Sequence, residues 1–169
     1  SIITHKAQTT RHRILGILNE ENYQIVFSDT PGIIKPAYKL QESMMNFVQS
    51  AFQDADVLIY MVEIGEKRLK DEALFEKIKN TKIPLLLLIN KIDLAQQKAV
   101  EEQINLWKEK VPNAEILPIS ALNKFNIEKI LVRIKELLPE APAFYEKDAI
   151  TDKPKRFFVS ESIREKILK

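Results

Sequence analysis

Leu85-Leu86-Leu87-Leu88-Ile89-Asn90-Lys91-Ile92-Asp93 is the stretch on which the fold of this chain turns. Its five apolar residues are of strand length and show no alternation, as in a strand covered on both faces. Asn, Lys and Asp then follow at once, where such a strand would emerge from its sheet. Val57 to Val62 and Ile116 to Ile119 are further apolar runs of strand length on either side of it. Between the runs the spacing changes to that of helices, with Leu69, Ala73, Leu74 and Ile78 in one and Val100, Ile104 and Trp107 in the next. A last helix carries Ile127, Ile130, Leu131, Ile134 and Leu138 and is stopped by Pro139. Nearer the start, Leu40, Met44, Phe47, Val48, Ala51 and Phe52 have the helical period, and Ile14–Leu18 and Tyr23–Ser28 flank a polar turn as a hairpin does. Strands that alternate with amphipathic helices predict an α/β domain over residues 1–138, its mostly parallel sheet covered by helices.

Residues 139–156 contain Pro139, Pro142 and Pro154 among mixed charges and read as a linker. In residues 157–169, Ser162 and Glu165 have the spacing of a capping box, with Ile163, Ile167 and Leu168 on one helical face. Of 169 residues, 26 are Lys or Arg and 24 are Asp or Glu, a net charge of +2 that excludes a highly charged arm. Cysteine is absent, which excludes disulfides and thiolate chemistry, and with only two histidines a zinc site is not expected. No segment has the length and apolarity of a membrane span, and Ser1 to Thr10 lacks a signal-peptide core; a cytoplasmic location is the expectation. Trp107 and the Met44-Met45 pair sit at core spacing and are expected to pack. Lys6, Arg11 and Arg13, with no acid before Glu20, form a basic run that suits either a solvated loop or contact with RNA phosphates.

Three motifs follow strands, where α/β folds place ligands. In Asp29-Thr30-Pro31-Gly32 the carboxylate can reach a magnesium ion through water, and the glycine lets its N–H approach a terminal phosphate; an ordinary Asp/Pro/Gly turn is the plainer alternative. In Asn90-Lys91-Ile92-Asp93 the carboxylate can accept the paired N1 and N2 hydrogens of guanine, which adenine lacks, while the Lys91 stem can lie over a flat ring. Its alternative is a solvated turn with a helix cap. Ser120-Ala121-Leu122 is small enough to turn the Ala121 N–H toward a base carbonyl, or is a helix cap. No motif decides alone; their occurrence together, in this order and each after a strand, does.

These residues resemble the third, fourth and fifth nucleotide-binding elements of translation-factor-type GTPases. Lys6-Ala7-Gln8-Thr9-Thr10-Arg11-His12-Arg13 is similar to the switch I region of the Era family. Ile150-Thr151-Asp152, Arg156-Phe157 and Ser160-Glu161-Ser162-Ile163-Arg164-Glu165-Lys166 resemble that family's junction into a KH RNA-binding domain. The resemblance implies GTP and GDP as ligands, bound by Thr10, Asp29, Gly32, Asn90, Lys91, Asp93, Ser120, Ala121 and Leu122. It implies Mg²⁺ on Thr10, with Thr9 the weaker choice, and on Asp29 through water. It implies a P-loop G domain over 1–138, the linker, and the start of an α+β KH domain at 157–169. The implied partners are small-subunit ribosomal RNA and the small ribosomal subunit, with a monomeric state and peripheral contact at the inner face of the membrane as further expectations. A degenerate, non-hydrolysing interaction module and a relative acting in tRNA modification or large-subunit assembly are the competing readings.

Two departures from the family pattern matter. Ile33 stands where other GTPases carry a water-positioning glutamine, which leaves no catalytic side chain assigned and implies slow intrinsic turnover. The phosphate-cradling Gly-x-x-x-x-Gly-Lys-Ser/Thr loop does not occur in these residues. Glycine is scarce accordingly, at 3 residues where average usage gives about 12. In the family that loop and its strand precede switch I, the strand lying between those at Tyr23 and Val57. The 169 residues alone are therefore expected neither to fold stably nor to hydrolyse GTP.

The base-site reading makes one sharp prediction. In the intact protein Asp93→Asn should shift preference from guanine toward xanthine nucleotides, because the amide sets a donor against a guanine donor. Competition binding with GDP and XDP measures it, and unchanged GDP affinity would remove Asp93 from the base site.

Overall fold

A computed structural model describes residues 10–32, 37, 39–68 and 72–168, and the chain divides into two compact units, Ser1–Asp54 with Ala141–Lys169, and Ala55–Glu140. Lys6, Thr9, Ile33 and Leu69, on which expectations were placed, lie outside the described residues.

In the first unit, β1 (Ile14–Asn19) and β2 (Gln24–Asp29) pair antiparallel, Ile14 opposite Asp29 and Asn19 opposite Gln24, as the hairpin pattern predicts. Ile14, Ile17 and Ile25 are buried. Helix α1 (Lys39–Asp54) buries Met44, Met45 and Val48, so the methionine pair packs as expected. The Arg13 guanidinium ties the base of the hairpin together: Nε donates to Ser28 Oγ at 2.7 Å, while Nη1 reaches Asp54 Oδ2 at 2.7 Å and Ser50 Oγ at 3.3 Å. One cation of the basic run is thereby engaged within the protein.

Up to Pro154 the segment read as a linker has no helix or strand of its own, yet it is fastened along the outer edge of β1. Leu15 N–H donates to Asp152 Oδ1 at 3.2 Å and Ile17 N–H to Ile150 O at 2.9 Å. These are alternate residues, whose N–H groups leave the same side of the strand. Asn19 Nδ2 donates to Ala149 O at 2.7 Å, and Gln24 closes the far end, its Nε2 on Tyr145 O at 2.9 Å and its Oε1 accepting the Phe144 and Tyr145 N–H groups at 3.0 Å each. An edge that could otherwise pair with a foreign strand is covered.

Helix α5 (Lys155–Leu168) begins earlier than its capping signal implied. It starts directly after Pro154, whose carbonyl accepts the Phe157 N–H at 2.9 Å, so Ser162 is interior and the Ser162–Glu165 spacing is no cap. Arg164 pairs with Glu161, one turn back, at 2.6 Å. The His12 ring meets Phe47 and Phe157 edge-on, at centroid distances of 6.0 and 6.3 Å.

In the second unit, β3 (Leu58–Glu63), β4 (Leu85–Asn90) and β5 (Ala114–Pro118) form a parallel sheet in the order β3-β4-β5, with α2 (Glu72–Lys79), α3 (Gln97–Lys110) and α4 (Ile127–Leu137) between and after them. Leu86, Leu87 and Ile89 are wholly buried, as a central strand requires, and Trp107 and Val111 join them in the core. Burial, with Glu66 adding to it, pushes the Tyr60 hydroxyl well above its ordinary range; its ring stands edge-on to Trp107 at 6.0 Å. Arg133 on α4 grips the β5 carboxylate of Glu115 through Nε and Nη2, at 2.9 and 2.8 Å.

Helix-covered parallel strands were expected, and β4 meets that description fully. β3 departs from it: Tyr60 and Val62 are buried, but Ile59 and Met61 are 41% and 53% exposed, so only one of its faces is covered among the described residues. The described strands also form two sheets rather than one, with β2 paired only to β1 and β3 only to β4.

The strap on β1 carries a pH dependence. Burial alone would raise the Asp152 carboxyl, but the Lys153 ammonium at 2.8 Å and the Leu15 N–H outweigh it and hold the group below its ordinary 3.8. A depressed carboxylate stabilises the fold above its unfolded value, and this contribution fades as pH falls below 3.8 through the folded one. Asp152→Asn should lower the amide-exchange protection of Leu15 about fivefold at neutral pH while sparing Ile17, whose acceptor is a backbone carbonyl. Equal protection in variant and wild type would show that the carboxylate does not hold the strap.

Candidate functional site

The second unit builds its candidate site at the carboxyl end of β4. Asn90 is the last residue of that strand, and Lys91 after it is left-handed (φ 63°), which turns the chain sharply into the short 3₁₀ turn Ile92–Leu94 that carries Asp93. Left-handed backbone is costly for a side-chain-bearing residue, and Asn90 offsets that cost: its Oδ1 accepts the Lys91 N–H at 2.8 Å. The same oxygen accepts the Ala121 N–H at 3.1 Å, so one amide joins two loops that are distant in sequence.

The second link is a side-chain pair. Ser120 Oγ donates to Asp93 Oδ1 at 2.5 Å and in turn accepts the Asn123 N–H at 3.2 Å. Ser120 is only 2% exposed, whereas Asp93 faces solvent. A paired backbone bridge with Phe125, at 3.3 and 3.0 Å, closes the loop around Ser120, and Asn126 Nδ2 holds its end to Pro118 O at 2.8 Å. Lys124 and Asn126 are both left-handed there, at φ 56° and 60°.

Asn90, Lys91, Asp93, Ser120 and Ala121 are thus brought together. Asp93 Oδ1 is occupied by Ser120; a carboxylate offers about four lone-pair sites, so the group retains capacity for a pair of ring hydrogens. The expected role of the Ala121 N–H is modified, because it already donates to Asn90 and a base carbonyl would have to share it. Leu122 is 83% exposed.

Sequence reasoning missed the support behind these residues. Lys91 Nζ lies 2.6 Å from Glu63 Oε1 at the end of β3, and buried Gln103 on α3 binds the turn that follows Glu63. A polar residue at a core position of a helical pattern, as Gln103 is among Val100, Ile104 and Trp107, was the available signal.

The first unit holds Thr10, Asp29 and Gly32. Asp29 ends β2 with its side chain exposed, and Pro31 beyond it is buried. Gly32 is exposed, and a Cβ built on it would meet nothing within 4 Å among the described residues. Thr10 is half-buried and engaged in a contact of its own. For Mg²⁺ the donor chemistry fits: a hydroxyl and an exposed carboxylate are hard oxygen ligands. Among the described residues no three His, Cys, Asp or Glu side chains cluster as metal ligands.

Residues 1–91 match the family model described as 50S ribosome-binding GTPase. The chain is 41% identical over 169 residues to the GTPase Era of Staphylococcus haemolyticus and equally to that of a Thermoanaerobacter species, covering 99% of this chain and 56% of each relative. It spans, then, little more than half the length of the curated relatives it matches. Among solved structures, a variant of Aquifex aeolicus Era bound to GDP and AlF₄⁻ superposes with a TM-score of 0.90 at 39% identity, covering 98% of this chain and 57% of that one. Translation elongation factor SelB from Methanococcus maripaludis, at 21% identity and a TM-score of 0.60 over 83% of this chain and 31% of its own, shares the fold. The chain belongs to the 50S ribosome-binding GTPase family and, within it, to the Era GTPases.

Proposed function

We propose that the intact protein is a GTP-binding and GTP-hydrolysing switch that binds small-subunit ribosomal RNA and assists ribosome assembly. The observation that carries the nucleotide part is the pair of bonds Ser120–Asp93 and Ala121–Asn90, which hold a guanine-type acceptor at a strand end. A domain without nucleotide has no physical need for that exposed carboxylate, which argues against the degenerate module. Asp93 selects the base, Asn90 organises the loops around it and Lys91 covers the ring.

Thr10, Asp29 and Gly32 attend the phosphate end, where Gly32 N–H meets the γ-phosphate. Mg²⁺, when bound, neutralises charge developing on the phosphates. Loss of the γ-phosphate removes the contacts of Thr10 and Gly32 and lets their segments relax, which is the switch. Ile33 has no group to orient water, so intrinsic turnover is slow and a partner accelerates it.

The ribosomal part of the reading rests on the Era relatives and on the junction residues Ile150 to Lys166, with α5 as the opening helix of a KH domain after residue 156. The intact protein should bind small-subunit ribosomal RNA with an affinity that falls as salt rises, since phosphate contacts release counterions. Filter binding against RNA of both ribosomal subunits checks this; preference for the large-subunit RNA would favour the relative of large-subunit assembly instead.

Thr10→Ala should spare GDP binding and weaken Mg²⁺-dependent hydrolysis in a single-turnover assay, with unaltered turnover pointing to Thr9. Ser120→Ala leaves the Asn123 N–H without its acceptor and frees Asp93, and should weaken GDP binding about tenfold, from the loss of one hydrogen bond to a charged group. Calorimetry would show this, and unchanged affinity would mean that Asp93 needs no such anchor.

A further inference from the structure

We propose that Glu63 is a positioning residue for Lys91, holding its side chain in the pose that covers a purine ring. The inference rests on the reading of Asn90-Lys91-Ile92-Asp93 as a base site. Glu63 and Asn90 are register partners at the ends of β3 and β4, so their side chains leave the same face of the sheet. Lys91 follows Asn90 in a fixed left-handed conformation, and its ammonium meets the Glu63 carboxylate at 2.6 Å.

An ordinary pair this exposed, with side chains 49% and 52% accessible, would hold little, because both partners wander. Here the backbone under Glu63 is pinned from several directions. Its carbonyl accepts Gln103 Nε2 at 3.1 Å, and the same nitrogen donates to Glu66 O at 3.0 Å. Gln103 Oε1 accepts the Gly65 N–H at 2.6 Å, in a turn where Gly65 sits at φ +90°. Ile64 N–H donates to Asn90 O at 2.9 Å, tying the turn to the strand end of the base site itself. Gln103 is 6% exposed, and its amide spends both its ends on this one turn. Such an investment of a buried amide fixes where the Glu63 carboxylate stands, and thereby where the Lys91 ammonium goes.

A lysine stem laid on a ring must otherwise lose its rotamer freedom at the moment of binding. With its head anchored beforehand it loses less. Lys91 touches the ring face, common to all purines, whereas Asp93 reads groups on its edge. Glu63 should therefore affect purine nucleotides alike.

The test is a double-mutant cycle in the intact protein. Glu63→Gln should weaken GDP and IDP equally, about three- to fivefold, mainly through faster dissociation. The loss should shrink at high salt and vanish in a Lys91→Ala background. An equal loss in both backgrounds would overturn the proposal in favour of a purely structural role, and so would no loss in the wild-type background. If Lys91→Ala and Asp93→Asn themselves leave GDP binding unchanged, the base-site reading falls and takes this inference with it. If those two weaken binding and Glu63→Gln does not, only the positioning role falls.

Discussion

Five consecutive side chains, Leu85 to Ile89, are each no more than 3% exposed, and the second unit depends on that constraint. Full burial on both faces leaves β4 no alternative register, since a slip by one residue would drag Asn90 into the core or, in the other direction, Pro84 into the ladder. It also requires neighbours on both edges, which β3 and β5 supply in parallel. The burial of roughly 1.5–3 kcal/mol per large apolar side chain is what fixes the point at which the chain first turns polar. Asn90 therefore emerges at a set place, level with Glu63, and Pro118 and Ser120 emerge beside it from β5. The polar groups of the site are thus placed by apolar packing beneath them.

This is also why so much of the site was legible in the sequence. Burial leaves an unbroken apolar run, the run ends where the strand ends, and the residues beyond it stand at the sheet's carboxyl edge. The same logic located Ser120 and Asp29. It fails where position depends on hydrogen bonds rather than on burial. Nothing in the pattern around Gln103 says that its amide faces the Gly65 turn, and nothing near Glu63 says that Lys91 will meet it. β3 shows the converse error, for Ile59 and Met61 are apolar without being covered among the described residues.

The segment between α4 and α5 fails as a reading for a related reason. Proline and mixed charge mark it as irregular, which it is, but irregular backbone can still be held. Its partners are the outward N–H groups of β1 and the side chains of Asn19 and Gln24, residues that the sequence alone places in a polar hairpin turn and at its margin. Hydrogen bonds donated by a strand edge carry no residue-type signature, because every non-proline residue offers the same N–H. What the composition does record is the anchor: Asp152 and Lys153, adjacent and opposite in charge, sit where the strap meets β1.

Both halves of the molecule share one device, a side-chain amide or carboxylate that fixes backbone outside regular structure. Gln103 does this for the turn after β3, Asn90 for Lys91 and Ala121, Gln24 for the strap, and Asn126 for the end of the Ser120 loop. An amide suits the task better than a charge because it donates and accepts at once and can be buried without an ion's desolvation cost. Charge is kept for exposed positions: Asp29, Asp93, and Lys91 with its partner Glu63. Asp93 shows the division most clearly: a neutral serine holds one of its oxygens, and the negative charge stays available to whatever presents two hydrogens in line.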